Sequence, residues 1–442
     1  MTKTYDMIIR GGIVVNHDGR GAADIGIQDG KISAIGDLST VSAGENIDAR
    51  GLHVLPGVID TQVHFREPGP THKEDLEAGS RGAVLGGVTG VFEMPNTNPN
   101  TATPEALSDK LNRANARMHC HHAFYIGGTH DNADHLDELE RLPGCCGVKV
   151  FMGASTGDLL IADEEGLSRV LASINRRASF HCEDEARMQI MKDRIRAGDP
   201  TSHPEARDAK AAYLATAQIL RLARKAAKRV HILHVTTGDE IPLLVAHKDI
   251  ATCEVTPQHL TLSAPSCYET LGTRAQMNPP VRREQHRAAL WQALAQGVFD
   301  VIGSDHAPHT LKEKAVPYPA SPSGMPGVQT LVPVMLDWVN KGYLSIERFV
   351  DLTSAGANRI WGLAGKGRLA VGYDADVTIV DLKAKHTLSD KDMANKSGWT
   401  PYDGMEVTGW PTHTIIDGKT VMQEGELVRT GQGTPYRFME CL

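Results

Sequence analysis

Val58-Ile59-Asp60-Thr61-Gln62-Val63-His64-Phe65-Arg66-Glu67-Pro68-Gly69 decides how the rest of the chain is read. An apolar strand ends here in polar residues, and side chains two apart on a strand share a face, so Gln62, His64 and Arg66 look into one pocket. His64 is a metal-ligand type, and Arg66 is a cation able to clamp a carboxylate. Working outward, further apolar runs begin near Gly87, His122, Gly147, Ala178, Arg229, Ala251 and Phe299, most followed by helical periodicity, as from Asp208 to Lys228 and Glu284 to Gln296. Eight strand–helix units predict a (β/α)8 TIM barrel. An open doubly wound sheet is the alternative, but no GxGxxG follows the first strand.

Residues 6–55 read instead as short strands broken by glycine turns, with Asp29-Gly30 a strong hairpin signal. The same texture returns after Gly365, in Ala375–Val380 and around Asp417-Gly418. The two ends are expected to pair into a small β-sandwich domain, giving a split domain over 1–55 and 366–442 around a barrel over 56–365. A length of 442 residues fits one large unit plus a smaller one. Net charge is −8 with both signs interspersed, which argues against nucleic acid as a partner. The start lacks an apolar leader and no run suits a membrane span, so a cytoplasmic protein off the membrane is expected. Seven cysteines without framework spacing fit reduced thiols.

In a barrel the chemistry gathers where strands end. Strand one ends with His64 and Arg66, strand two with Asn96, strand four with Lys149, strand five with His181, strand six with His234, strand seven with Gln258-His259 and strand eight with Asp305. A lone strand histidine is usually a core residue, yet three that end different strands beside an aspartate suit zinc, with manganese or iron left open. Lys149 lies in Gly-Val-Lys-Val-Phe-Met-Gly; burial would lower its pKa and free an amine able to take up CO₂ as a carbamate bridging two metal ions. A lysine snorkelling at a strand end is the bland alternative. His231 is read as structural, Cys182 as a buried thiol, and Glu183-Asp184-Glu185 as a solvated helix start with Glu183 close to the site. Ser323-Gly324-Met325-Pro326-Gly327 is either an ordinary loop or one offering backbone groups to a substrate ring.

This constellation resembles the amidohydrolase superfamily over nearly the whole chain and, within it, the bacterial dihydroorotases. The residues responsible are His64-Phe65-Arg66-Glu67-Pro68-Gly69, Glu93-Met94-Pro95-Asn96-Thr97, Gly147-Val148-Lys149-Val150-Phe151, Met277-Asn278-Pro279-Pro280 and Asp305-His306-Ala307-Pro308-His309. The resemblance implies one or two zinc ions, with carboxylated Lys149 bridging, His181 and His234 on one ion, and His64 and Asp305 on the other. It also implies Arg66, Asn96 and His309 on a substrate carboxylate, Asn278 at the ring, and Asp305 as the catalytic proton carrier. The implied reaction is the reversible cyclisation of N-carbamoyl-L-aspartate to dihydroorotate in pyrimidine biosynthesis, by a homodimer. Two alternatives stay open: an allantoinase or hydantoinase, and a non-catalytic subunit partnering an aspartate transcarbamoylase.

Gln62 and Gln258 depart from the family pattern, each standing where a histidine is expected. A glutamine offers a neutral, weakly basic oxygen, so the ion at His64 and Asp305 should bind more weakly or be absent. Three outcomes follow: a single-metal enzyme, a two-metal enzyme with a labile ion, or a homologue without activity.

Overall fold

The computed structural model describes residues 4–153 and 157–441. The chain opens with β1 (Thr4–Asn16), β2 (Gly19–Gln28), β3 (Lys31–Gly36), β4 (Ser42–Asp48) and β5 (His53–Pro56). Eight strands follow: β6 (Val58–Val63), β7 (Val88–Glu93), β8 (His121–Gly127), β9 (Cys145–Phe151), β10 (Ala178–His181), β11 (Val230–Ile232), β12 (Ala251–Val255) and β13 (Val301–Ile302). The last four are β14 (Val377–Thr387), β15 (Glu406–Ile416), β16 (Lys419–Gln423) and β17 (Glu426–Leu427).

Strands β6 to β13 pair in sequence order, all parallel. Their residues are buried on both faces almost throughout, which is why they read as continuous apolar runs without alternation. The His64 N–H donates to His306 O at 2.7 Å and brings the two ends of the sheet together, giving a nearly closed barrel. Helices pack outside it, among them Ala209–Ala226, started by the Asp208 side chain accepting from the Ala211 N–H and buried along Ala212, Ala215, Ile219 and Ala223.

The terminal segments make one connected sheet in the order β17-β16-β15-β14-β5-β1-β2-β3, with β4 beside β1. Three of its tight hairpins turn on Asp29-Gly30, Asp417-Gly418 and Glu424-Gly425, all at positive φ as such turns require. The two ends of the chain meet where Val54 pairs with Ile379. Met7, Ile25, Ile32, Val54, Val377 and Ile415 share its core. This sheet docks on the barrel through Gly57 N–H to Asp376 O and the Thr378 hydroxyl to Gly87 O, both 2.8 Å. The C-terminal tail then returns to β8, where the Tyr436 N–H reaches His122 O at 2.8 Å. Gly90 admits it, since a Cβ there would sit 1.7 Å from the Tyr436 hydroxyl. No helix among the described residues is long and apolar enough to cross a membrane.

Candidate active site

All nine side chains expected at the site, together with Gln62, line one cavity of about 290 Å³ where the barrel strands end. Three of them, Arg66, His234 and Asp305, have positive φ (63°, 35° and 45°), a region that non-glycine residues seldom adopt. Such strain at strand ends is held by the surrounding packing and re-aims these residues.

Lys149, on β9, is 1% exposed, and its ammonium has no hydrogen-bond partner among the described residues; it lies 4.4 Å from the centre of the Phe151 ring. Burial brings its pKa down to about 7, so the neutral amine is well populated near neutrality. His181 ends β10 and directs Nε2 to Glu183 Oε2 at 2.8 Å. The carboxylate accepts, so Nε2 carries the proton and Nδ1 presents a lone pair, facing His234 Nε2 at 2.9 Å. Burial would raise the Glu183 pKa, but Arg207, at 3.0 Å from Oε1, and His181 hold it well below the usual carboxylate range.

On the opposite side of the barrel seam, His64 Nδ1 donates to Asn96 Oδ1 at 2.7 Å. Its Nε2 lone pair therefore faces Asp305 Oδ1, 3.1 Å away, and burial keeps the His64 pKa below its ordinary value. Acceptor faces acceptor at this pair, two imidazoles converge at the other, and an ammonium stands unpaired beside them. Imidazole nitrogens and a carboxylate converging on one cavity form a donor set that fits a divalent cation. Gln62 turns its amide nitrogen to Asp305 Oδ1 at 2.9 Å and leaves Oε1 buried without a partner.

The Arg66 guanidinium occupies another part of the cavity, anchored by Nε to Pro308 O at 3.2 Å. His309 donates Nε2–H to Ser323 O at 3.0 Å and accepts at Nδ1 from Lys73 Nζ at 3.0 Å. Both nitrogens of His309 are thus engaged within the protein. Arg66 Nη2 lies 3.3 Å from His309 Nε2, and Nη1 makes no hydrogen bond among the described residues. Burial lowers the Arg66 pKa to about 10, which leaves it charged at neutral pH. Asn278 lies across the cavity, its Oδ1 accepting from His203 Nε2 at 3.1 Å.

Several neighbours were not readable from the strand-end pattern. Asp184 caps the helix Glu185–Ile190 as a helix start should, but Glu183 is fully buried and orients His181. Asp60 and Glu254 lie inside the strands behind the site, pushed up by burial to about 7 and about 8. Glu254 accepts from the Thr61 hydroxyl at 2.8 Å, and Asp60 from the Ser304 N–H at 2.9 Å. A charged residue within an apolar strand was the available signal for both. Gln258 is not among the cavity-lining residues; its amide nitrogen donates to Ser304 O at 2.8 Å. His231 is buried between Thr252 and Trp361, and Cys182 is a buried thiol, as the sequence suggests. Ser323 and Gly324 do line the cavity.

A second cluster, His121, Asp376 and Asp417, lies at the other end of the barrel, where β8 begins. Lys366 fills it, with Nζ 2.6 Å from Asp376, 3.1 Å from Asp374 and 3.1 Å from His121 Nε2. An ammonium already neutralises these carboxylates, so this group does not fit a metal centre.

The Amidohydrolase family pattern matches residues 53–421, and the chain belongs to that family. A dihydroorotase of Methanosarcina mazei is 37% identical over 440 residues, covering 95% of this chain and 94% of the relative. An allantoinase of Rubrobacter xylanophilus is 34% identical, covering 98% of this chain and 97% of the relative. Among solved structures, an L-hydantoinase from Arthrobacter aurescens superposes with a TM-score of 0.94 at 31% identity, over 97% of this chain and 99% of that one.

Proposed function

We propose that the chain is a metal-dependent dihydroorotase that interconverts N-carbamoyl-L-aspartate and dihydroorotate. The observation that carries the reading is Arg66, a buried cation with an unengaged Nη1 in the same cavity as the converging donors of Lys149, His181, His234, His64 and Asp305. A ring bearing a carboxylate satisfies both halves of this cavity at once. Hydantoin and allantoin offer no such group to Arg66.

Lys149, His181 and His234 would hold one zinc ion, and His64 with Asp305 a second. Bound there, a divalent ion supplies Lewis acidity at the imide carbonyl and lowers the pKa of water toward ~7. The neutral Lys149 amine suits addition to CO₂, releasing a proton and leaving a carbamate whose oxygens replace the missing ligand atoms. Asp305 is placed to accept the proton of the attacking water and return it to the ring nitrogen as the C–N bond breaks. Gln62, donating to Asp305 Oδ1, leaves Oδ2 as the proton-carrying oxygen. Arg66 holds the carboxylate while Asn96 steadies His64 and offers its amide nitrogen to the substrate. Cyclisation runs the same transfers in reverse. A metal-site donor set with these members also favours an enzyme over a silent partner of an aspartate transcarbamoylase.

The test is turnover of dihydroorotate, hydantoin and allantoin by one sample of known metal content. Dihydroorotate should be preferred by at least tenfold in kcat/KM. A preference for either of the other rings would replace this reading, and no turnover with metal bound would favour the scaffold.

A further inference from the structure

Lys314 is 1% exposed, carries no carboxylate partner among the described residues, and directs Nζ at three backbone carbonyls. These are Gln276 O at 3.1 Å, Pro322 O at 2.8 Å and Gly324 O at 3.1 Å. The three oxygens belong to two segments far apart in sequence, and both reach the cavity: Asn278 follows the first, while Ser323 and Gly324 lie in the second. Further bonds run between the same segments, from the Gly324 N–H to Gln276 O at 2.9 Å and from Gln276 Nε2 to Ser321 O at 3.3 Å. Ser323 O in turn receives His309 Nε2–H, and His309 O receives the indole N–H of Trp399 at 2.8 Å.

An ammonium buried without a counter-ion is costly, and burial lowers the pKa of Lys314 to about 7. Three neutral acceptors offset that cost because NH₃⁺ offers three donors from one atom, a tripod that a planar guanidinium does not reproduce. A neutral aliphatic side chain there would leave these carbonyls without their common donor.

We propose that Lys314 is a positioning residue for the substrate site: its ammonium fixes Asn278 and the Ser323-Gly324 edge at the spacing that receives the substrate ring. It touches neither the expected metal ligands nor the reacting atoms, so its loss acts on binding. The inference rests on the reading of this cavity as a cyclic-imide site.

The experiment compares the full-length natural protein with Lys314→Met and Lys314→Arg, reading KM, kcat, bound metal and amide hydrogen exchange. Lys314→Met should raise KM for dihydroorotate at least tenfold, with kcat changed less than threefold and metal content unchanged. Exchange at the Gly324 amide should quicken at least tenfold, while amides of β8 keep their rates. Lys314→Arg should not restore KM. Normal KM in a folded Lys314→Met variant, or equal falls in kcat and metal, overturns the proposal. If Lys314→Met does not fold, Lys314→Gln, which keeps two donors, is read against the same limits with a smaller KM rise expected. Absence of dihydroorotate turnover in the natural protein would count against the assigned reaction, and the exchange result would still decide the clasp.

Discussion

The two ends of the barrel hold the same kinds of residue in opposite electrostatic conditions. At the start of β8, His121, Asp374, Asp376 and Asp417 surround Lys366, and each charge has an opposite within 3.5 Å. At the strand ends, Lys149 has no hydrogen-bond partner among the described residues, two imidazoles face each other, and His64 meets Asp305 acceptor to acceptor. A buried cluster that neutralises itself holds two parts of a fold together. A buried cluster that does not is waiting for a cation or a substrate, and that difference, more than the presence of histidines, separates a clasp from a site.

The largest effect should come from Lys149→Ala, which removes a buried cation that has no hydrogen-bond partner among the described residues at the uncompensated end. Turnover should fall by roughly a thousandfold or more, since the lost metal chemistry is worth several kcal/mol. Bound metal should fall with it, and a short carboxylic acid should restore part of both. Full activity, measured with metal content on the same sample, would mean that the cavity needs no carbamate.

Lys366→Met tests the opposite end. Removing one partner of a buried charge cluster costs about 3–5 kcal/mol, so Tm should drop sharply while kcat of the folded fraction holds. The pH dependence has a definite sign. Burial lowers the pKa of His121, but Asp376 outweighs it and raises it from 6.5 to about 9, so its contribution is full below 6.5 and is lost as pH climbs through about 9. Burial raises that of Asp376, but His121 and Lys366 hold it below 3.8, so its contribution is present above 3.8 and is lost only in stronger acid. A Tm plateau between pH 3.8 and 6.5 is expected, followed by a fall toward pH 9 that is at least as large in Lys366→Met, because the Lys366 ammonium opposes protonation of His121 in the natural protein. A Lys366→Met variant with unchanged Tm would show that compensation at this end contributes nothing.

Arg66→Ala should have a smaller effect than either. A charge-assisted contact to a carboxylate is worth about 1.5–3 kcal/mol, so KM for dihydroorotate should rise roughly 10- to 100-fold with metal content unchanged. Steady-state kinetics beside metal analysis checks it; equal kinetics would detach the ring carboxylate from this residue and return hydantoins to equal standing.

The uncompensated end was far easier to find in the sequence than the compensated one. Each strand announced its start within a few residues, and polar side chains at the ends of apolar runs marked the cavity before any packing was known. Partners from distant elements left no such mark: His121 meets Asp376 across 255 positions, and Arg207 reaches Glu183 from the turn after the helix His203–Ala206. Glu183 looked like part of an exposed acidic run because local composition carries no trace of a guanidinium folded over it. Asp60 and Glu254 were hidden for a related reason, since period and hydropathy register a strand but not what lies behind it. Gln258, a departure in the motif, stands outside the cavity.

Gln62 partly compensates Asp305 at the uncompensated end, and it carries the smallest predicted effect. Its amide nitrogen gives Asp305 Oδ1 a neutral donor at 2.9 Å, which lowers the demand of that carboxylate for a second cation. Its free Oε1 is a weaker ligand than imidazole. The ion at Lys149, His181 and His234 should therefore survive dialysis, and any ion at His64 and Asp305 should leave first. Gln62→His replaces the donor with a lone pair and should tighten the second ion by roughly tenfold, about 1.4 kcal/mol, moving occupancy toward two per chain. Metal analysis across a chelator series reads both steps. Two tightly held ions in the natural protein would show that the amide leaves the appetite of Asp305 for a cation undiminished, and an unchanged stoichiometry in Gln62→His would place the limit at His64.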